Sequence, residues 1–130
     1  MLSLSGQYAL RAMIYMAQHI DDWPIPGREI ADETDIPAKY LSKILGDLVR
    51  HGVLSSSRGK TGGFAMRRKP DRTRLYDILL PFEQFQHRTC PFENKRCSDA
   101  HPCLAHERWK KVVEAELNFL QKTTIAEIAV

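Results

Sequence analysis

The chain has 130 residues, 43% of them hydrophobic and 27% charged, with a net charge of +3. That is one domain with a modest core, small enough to gain from dimerisation, and a charge that permits a nucleic-acid partner without demanding one. No apolar run reaches the length of a membrane span, and the apolar start lacks a basic leader and is interrupted by Gln7, Tyr8, Arg11 and Gln18, so a cytoplasmic chain with no membrane partner is expected.

Residues 5–19 read as a helix, with Tyr8, Ala9, Ala12, Met13, Met16 and Ala17 at three-four spacing. The stretch DDWPIPG stops it, because two prolines and a glycine exclude helix. A short helix at REIADET and a turn at Asp35 or Ile36 lead into a helix over 37–51. Its first turn suits Pro37, and Gly52 suits its stop. Leu41, Ile44, Leu45 and Leu48 form its core stripe, while Lys39, Ser42, Lys43 and Arg50 lie on the other face. Two strand-like runs, 53–57 and 63–67, flank RGKTGG, whose glycines mark a hairpin tip. A helix at 73–80 ends at Pro81, a polar loop follows, and a long helix runs over 104–121 with Trp109, Val113, Leu117 and Leu120 on one stripe. Thr124 and Glu127 have the spacing of a capping box for a last short helix.

Helix, turn, amphipathic helix and basic hairpin, in that order, make a mainly α fold with a small β-hairpin wing: a winged helix-turn-helix followed by a long C-terminal helix. Residues 1–83 form the expected DNA-binding region, 84–103 a cysteine-bearing loop, and 104–130 a dimerisation helix and tail. A recognition helix reads base edges from its N-terminal residues, which here are Lys39, Tyr40, Ser42 and Lys43. Tyr40 has two options, packing inward or stacking on the sugar-phosphate surface. At the hairpin, Arg58 and Lys60 lie near the tip and Arg67 at the exit. An arginine there gains from the enhanced negative potential of a narrow minor groove. The bland alternative is that these cations are only a solvated face; the ordered combination favours double-stranded DNA.

All three cysteines fall in one polar loop, with six residues between Cys90 and Cys97, five between Cys97 and Cys103, and two between Cys103 and His106. Three thiolates and an imidazole supply the four ligands that a zinc site or an iron–sulfur cluster needs. Zinc sites usually bring cysteines as C-x-x-C knuckles, absent here, and wide loops suit a multi-atom cluster better. His87, Arg88, Lys95 and Arg96 would favour thiolates and an anionic group. His106 falls in the first turn of the long helix and can face back toward Cys103. His101 competes with it as ligand, and His87 reads as a surface residue. A zinc-stabilised interaction module, or thiol-based redox sensing, is the alternative. No nucleotide-binding glycine motif or catalytic constellation accompanies the cysteines, so an enzyme is not expected.

Both halves of the chain resemble the Rrf-two family of bacterial transcription regulators. The resemblance rests on GQYALRAMIYMA, IPAKYLSKILGDLVRHGVLSSSRGKTGGF, LYDIL and the cysteine loop running into CLAHERW, which together cover nearly the whole chain. It implies a homodimeric winged-helix regulator, most often a repressor, that joins its subunits through the long helix, here by Trp109, Val113, Leu117 and Leu120. It implies an iron–sulfur cluster on Cys90, Cys97, Cys103 and His106, two-iron two-sulfur in preference to four-iron four-sulfur. It carries Ala38, Tyr40 and Ser42 onto DNA-touching positions and Arg58 onto the wing arginine. With Arg28, Lys39, Lys43, Lys60, Gly62 and Arg67 these make the expected DNA-binding set. The sequence departs from the family pattern in three places. Six residues separate the first two cysteines where IscR-like members have five. Ser42 stands at a position that is acidic in IscR-like members. Gln7 and Tyr8 stand where NsrR-like members can recruit an acidic ligand from the partner, which favours His106.

Overall fold

The computed structural model describes residues 2–85, 90–92, 99–100 and 102–130. The helix α1, Leu4–Gln18, starts at Ser3, whose hydroxyl accepts from Gly6 N, and carries Ala9, Ala12, Met13 and Met16 as a fully buried stripe. Around α1 pack α2 (Gly27–Thr34), α3 (Ala38–Arg50), α4 (Leu75–Leu79) and the short α6 (Ile125–Ile128). α3 starts at Ala38, one position later than the sequence suggests, and Pro37 stands outside it as the N-cap, its ψ of 130° being non-helical. Leu41, Ile44, Leu45 and Leu48 fill the core beneath α3, as the stripe predicts. The α2–α3 turn passes through Asp35 in the left-handed region at φ +59°.

After α3, Gly52 takes a φ of +77°, a turn that a side chain would strain. The wing is a two-stranded antiparallel sheet, β1 (Leu54–Ser57) and β2 (Gly63–Met66), in the register Leu54 opposite Met66. Leu54 and Met66 are buried and tie the base of the wing to the core. The sequence pattern did not reveal that Ile25 joins the wing: its N donates to Phe64 O (2.9 Å) and its O accepts from Phe64 N (2.8 Å). The DDWPIPG segment is thus more than a break. After a 3-10 turn at Ile20–Asp22 it clamps the wing's second strand.

The long helix α5, His106–Lys122, begins two residues later than its sequence pattern suggests, and His106 is its first residue. Its far end is tied back to the front of α4: Leu75 N donates to Thr123 O (2.9 Å) and Ile125 N to Thr73 O (2.8 Å). Thr124 caps α6, and its backbone N donates to Glu127 at 2.7 Å, the capping arrangement expected. Leu120 and Ile125 sit in the same core as α1 and α3. Among the described residues, no helix is long and apolar enough to cross a membrane.

Candidate functional site

The apolar stripe of α3 faces inward, so its remaining side chains face out. Ala38, Lys39, Tyr40, Ser42 and Lys43 are exposed at its N-terminal half, as are Arg28 on α2 and Arg58, Lys60 and Arg67 on the wing. Arg28, Ala38 and Ser42 share one hollow of about 240 Å³ with Gly27, Ala31, Asp32, Leu45 and Phe64. This hollow joins α2, α3 and the wing into a single surface. Its Phe64 and Asp32 were not singled out in the sequence; a lone aromatic on a four-residue strand gives no signal that distinguishes surface from core.

Tyr40 takes the outward option. It is 60% exposed, and its ring lies tilted 6.4 Å from that of Tyr8. The guanidinium of Arg11 covers Tyr8 at 5.5 Å and donates to Thr34 O at 2.8 Å, which fixes α1 against the end of α2. At the tip, a side-chain carbon on Gly62 would collide with the Ser57 carbonyl, so the turn that presents Arg58 and Lys60 needs glycine there. Arg67 reaches back, Nε donating to Leu54 O at 3.4 Å. At the base of the wing, Arg74 pairs with Asp77 through two contacts, 3.1 and 2.9 Å, and Arg74 N donates to the same carboxylate at 3.1 Å. Burial pushes the Asp77 carboxyl up, but the hydrogen bonds from Arg74 outweigh it and hold the group below the usual carboxylate range.

In the cysteine segment, Cys90 is 1% exposed, Cys103 is half-buried, and His106 is 5% exposed. His106 N donates to Cys103 O at 3.1 Å, so the backbone at the start of α5 turns back on Cys103. Its Nε2 lies 2.8 Å from Asp99 Oδ1, and Lys110 Nζ reaches the same oxygen at 3.0 Å. Those bonds, from His106 first and then Lys110, hold the Asp99 carboxyl below its ordinary range. Asp99 had no signal in the sequence, where it was one polar loop residue among many. Cys97, His101 and the expected electropositive neighbours His87, Arg88, Lys95 and Arg96 lie outside the described residues. Among the described residues, no three histidine, cysteine or acidic side chains are gathered as a metal site. The donor chemistry nonetheless suits a soft metal centre: two thiols and a buried imidazole oriented by a carboxylate.

On α5, the expected interface residues behave differently from one another. Trp109 packs edge-on against Phe92, 5.7 Å between centroids, and Val113 and Leu117 are half-buried. Leu120 is 3% exposed and belongs to the subunit's own core, so it has no surface left to offer a partner. The apolar row that α5 leaves to solvent is a neighbouring one: Val112 (54% exposed), Ala115 and Phe119 (52%).

The chain matches the family model of Rrf2, described as an iron-dependent transcriptional regulator, over residues 2–130. It is 30% identical over 125 residues to a protein of Aquifex aeolicus assigned to the HTH-type transcriptional regulators, covering 94% of this chain and 86% of that one. It is 27% identical over 127 residues to the HTH-type transcriptional regulator IscR of Yersinia pestis, covering 98% and 77%. Among solved structures it is similar to CymR, the global cysteine regulator of B. subtilis, with a TM-score of 0.81, 25% identity and coverage of 99% and 95%. T. potens IscR gives a TM-score of 0.79 at 25% identity, covering 98% and 85%. The chain therefore belongs to the Rrf2 family: it is a DNA-binding winged-helix transcriptional regulator and not an enzyme.

Proposed function

We propose that this regulator senses an iron–sulfur cluster and binds near-palindromic promoter DNA as a homodimer, most often to repress. The observation that carries the reading is burial combined with donor chemistry: Cys90 and His106 are withdrawn from solvent at the two ends of an otherwise polar segment. Cys90, Cys97, Cys103 and His106 would hold the cluster, with two irons preferred over four. The family's description as iron-dependent and the likeness to IscR proteins support the same choice. Bound there, the cluster would supply an anionic group whose charge and integrity change with redox state and iron supply.

The protein's part is to couple that segment to the reading surface. The segment leaves α4, whose Leu75, Ile78 and Leu79 lie in the core beside α1, and enters α5 at His106. Holding Cys90 and His106 together would set the start of α5 relative to α4 and, through the two-fold partner, the spacing of the two recognition helices. A ligand shifts DNA affinity only by its different affinity for two such arrangements. Dimerisation through Val112, Ala115 and Phe119 would place half-sites about one helical turn apart.

A second reading is thiol-based sensing, with or without zinc, favoured by the likeness to the B. subtilis cysteine regulator. Anaerobic purification of Cys103→Ala and Cys90→Ala decides between them. The cluster reading expects each variant to lose the visible absorption, iron and sulfide of the wild type. Wild-type protein that carries zinc, or no metal at all, contradicts it.

A further inference from the structure

The carboxylate of Asp99 sits against His106, a buried histidine ring at the end of the sensor segment. Asp99 Oδ1 lies 2.8 Å from His106 Nε2. Lys110 Nζ lies 3.0 Å from Oδ1 and 3.2 Å from Oδ2. Lys110 follows His106 by one turn of α5, so two donors on one helix face converge on a single acceptor from the loop. An ionised carboxylate only accepts hydrogen bonds, so the hydrogen between Asp99 and His106 belongs to Nε2. That holds whether the ring carries one proton or two. In the neutral ring, the lone pair that a metal can use is then the one on Nδ1.

We propose that Asp99 is the positioning residue of the sensor segment, fixing His106 in the form that meets iron through Nδ1, with Lys110 holding Asp99 in place. This rests on the reading of His106 as a cluster ligand. The arrangement is carboxylate, histidine, metal: the outer carboxylate fixes the ring's tautomer and orientation and raises its basicity as a ligand. The ring itself is buried, which limits the orientations open to it, while Asp99 meets it from the solvent side. Coordination through Nε2 would instead require Asp99 to let go, which would make Asp99 a competitor of the cluster. The two geometries predict opposite effects of removing the carboxylate.

The test uses the full chain with nitrogen-15 in its histidine rings. Long-range proton–nitrogen correlation on the apo protein reads the ring form of His106, whose signals are identified by their loss in His106→Gln. The expected result is hydrogen on Nε2 and none on Nδ1 in the wild type, a mixture of forms in Asp99→Ala, and recovery in Asp99→Glu. The same proteins, reconstituted anaerobically with ferrous iron and sulfide, are then challenged with a chelator. Asp99→Ala should hold iron about 10–100-fold more weakly. Asp99 is exposed, so its thermal unfolding should match the wild type. Hydrogen on Nδ1 alone in the wild type overturns the proposal, as does an Asp99→Ala protein that keeps iron as well as the wild type or better. If His106→Gln keeps its iron and sulfide in full, the ligand reading falls and takes the role of Asp99 with it. A wrong ring form beside an iron-poor His106→Gln brings down the role of Asp99 alone.

Discussion

Arg58 stands exposed at the wing tip, on a turn whose backbone leaves room only for glycine at 62. Arg58→Ala should weaken promoter binding in an electrophoretic or fluorescence assay, and Lys39→Ala and Lys43→Ala should each lower the salt dependence by about one unit where a phosphate contact is lost. Normal binding by Arg58→Ala would contradict the wing's role. Asp77 makes a separate prediction about stability. Its carboxyl titrates lower in the folded chain than its unfolded value of about 3.9. The sign follows: its contribution is present above the unfolded value and is lost as pH falls through the lower, folded one. Asp77→Asn should cost about 1 kcal/mol at neutral pH, by loss of the bonds to Arg74 at the start of α4. In urea melts the variant should converge on the wild type as pH falls below about 4; a gap that stays constant with pH would contradict the assignment.

Among the elements, α5 has two apolar rows, one ending in the subunit's own core at Leu120 and one exposed at Val112, Ala115 and Phe119, the latter proposed as the dimer interface. Leu120→Ala removes a side chain from the subunit's own core and should destabilise the fold by about 2–5 kcal/mol. Val112→Glu with Phe119→Glu should instead leave the secondary structure intact and convert the proposed dimer to monomer in sedimentation or light scattering; a dimer that survives both charges places the interface elsewhere. Here the limits of the sequence are physical. Both rows recur with helical period, so periodicity reveals that α5 has apolar faces but not which one the subunit itself covers. The α3 stripe was legible because only one apolar face exists there, and Leu41, Ile44, Leu45 and Leu48 all lie in the core. The Ile25–Phe64 bridge was not, since it joins segments far apart in sequence through backbone groups that any residue carries. The exposed basic set on α3 and the wing could be read from residue type and order. Asp99 could not, because its meaning lies in a contact across a loop with no periodicity.

Across the whole molecule, the chain strings the proposed reading surface, a donor-rich segment and the proposed dimer helix in one line, and folds the end of that line back onto the beginning. The bonds between Thr73 and Ile125 and between Leu75 and Thr123 close this loop, so the base of the wing, α4 and the end of α5 share one anchor. In the proposed mechanism, a change at the start of α5 would act against this fixed far end. The central claim is that cluster occupancy sets DNA affinity. It is tested most directly by titrating one promoter fragment, at one salt concentration, with the anaerobically purified protein before and after the cluster is removed by chelation. Iron and sulfide are expected in the first sample, with a promoter affinity that differs between the two by at least about tenfold, or about 1.4 kcal/mol. Equal affinity in both, or a colourless protein whose binding responds only to thiol oxidation, would contradict it.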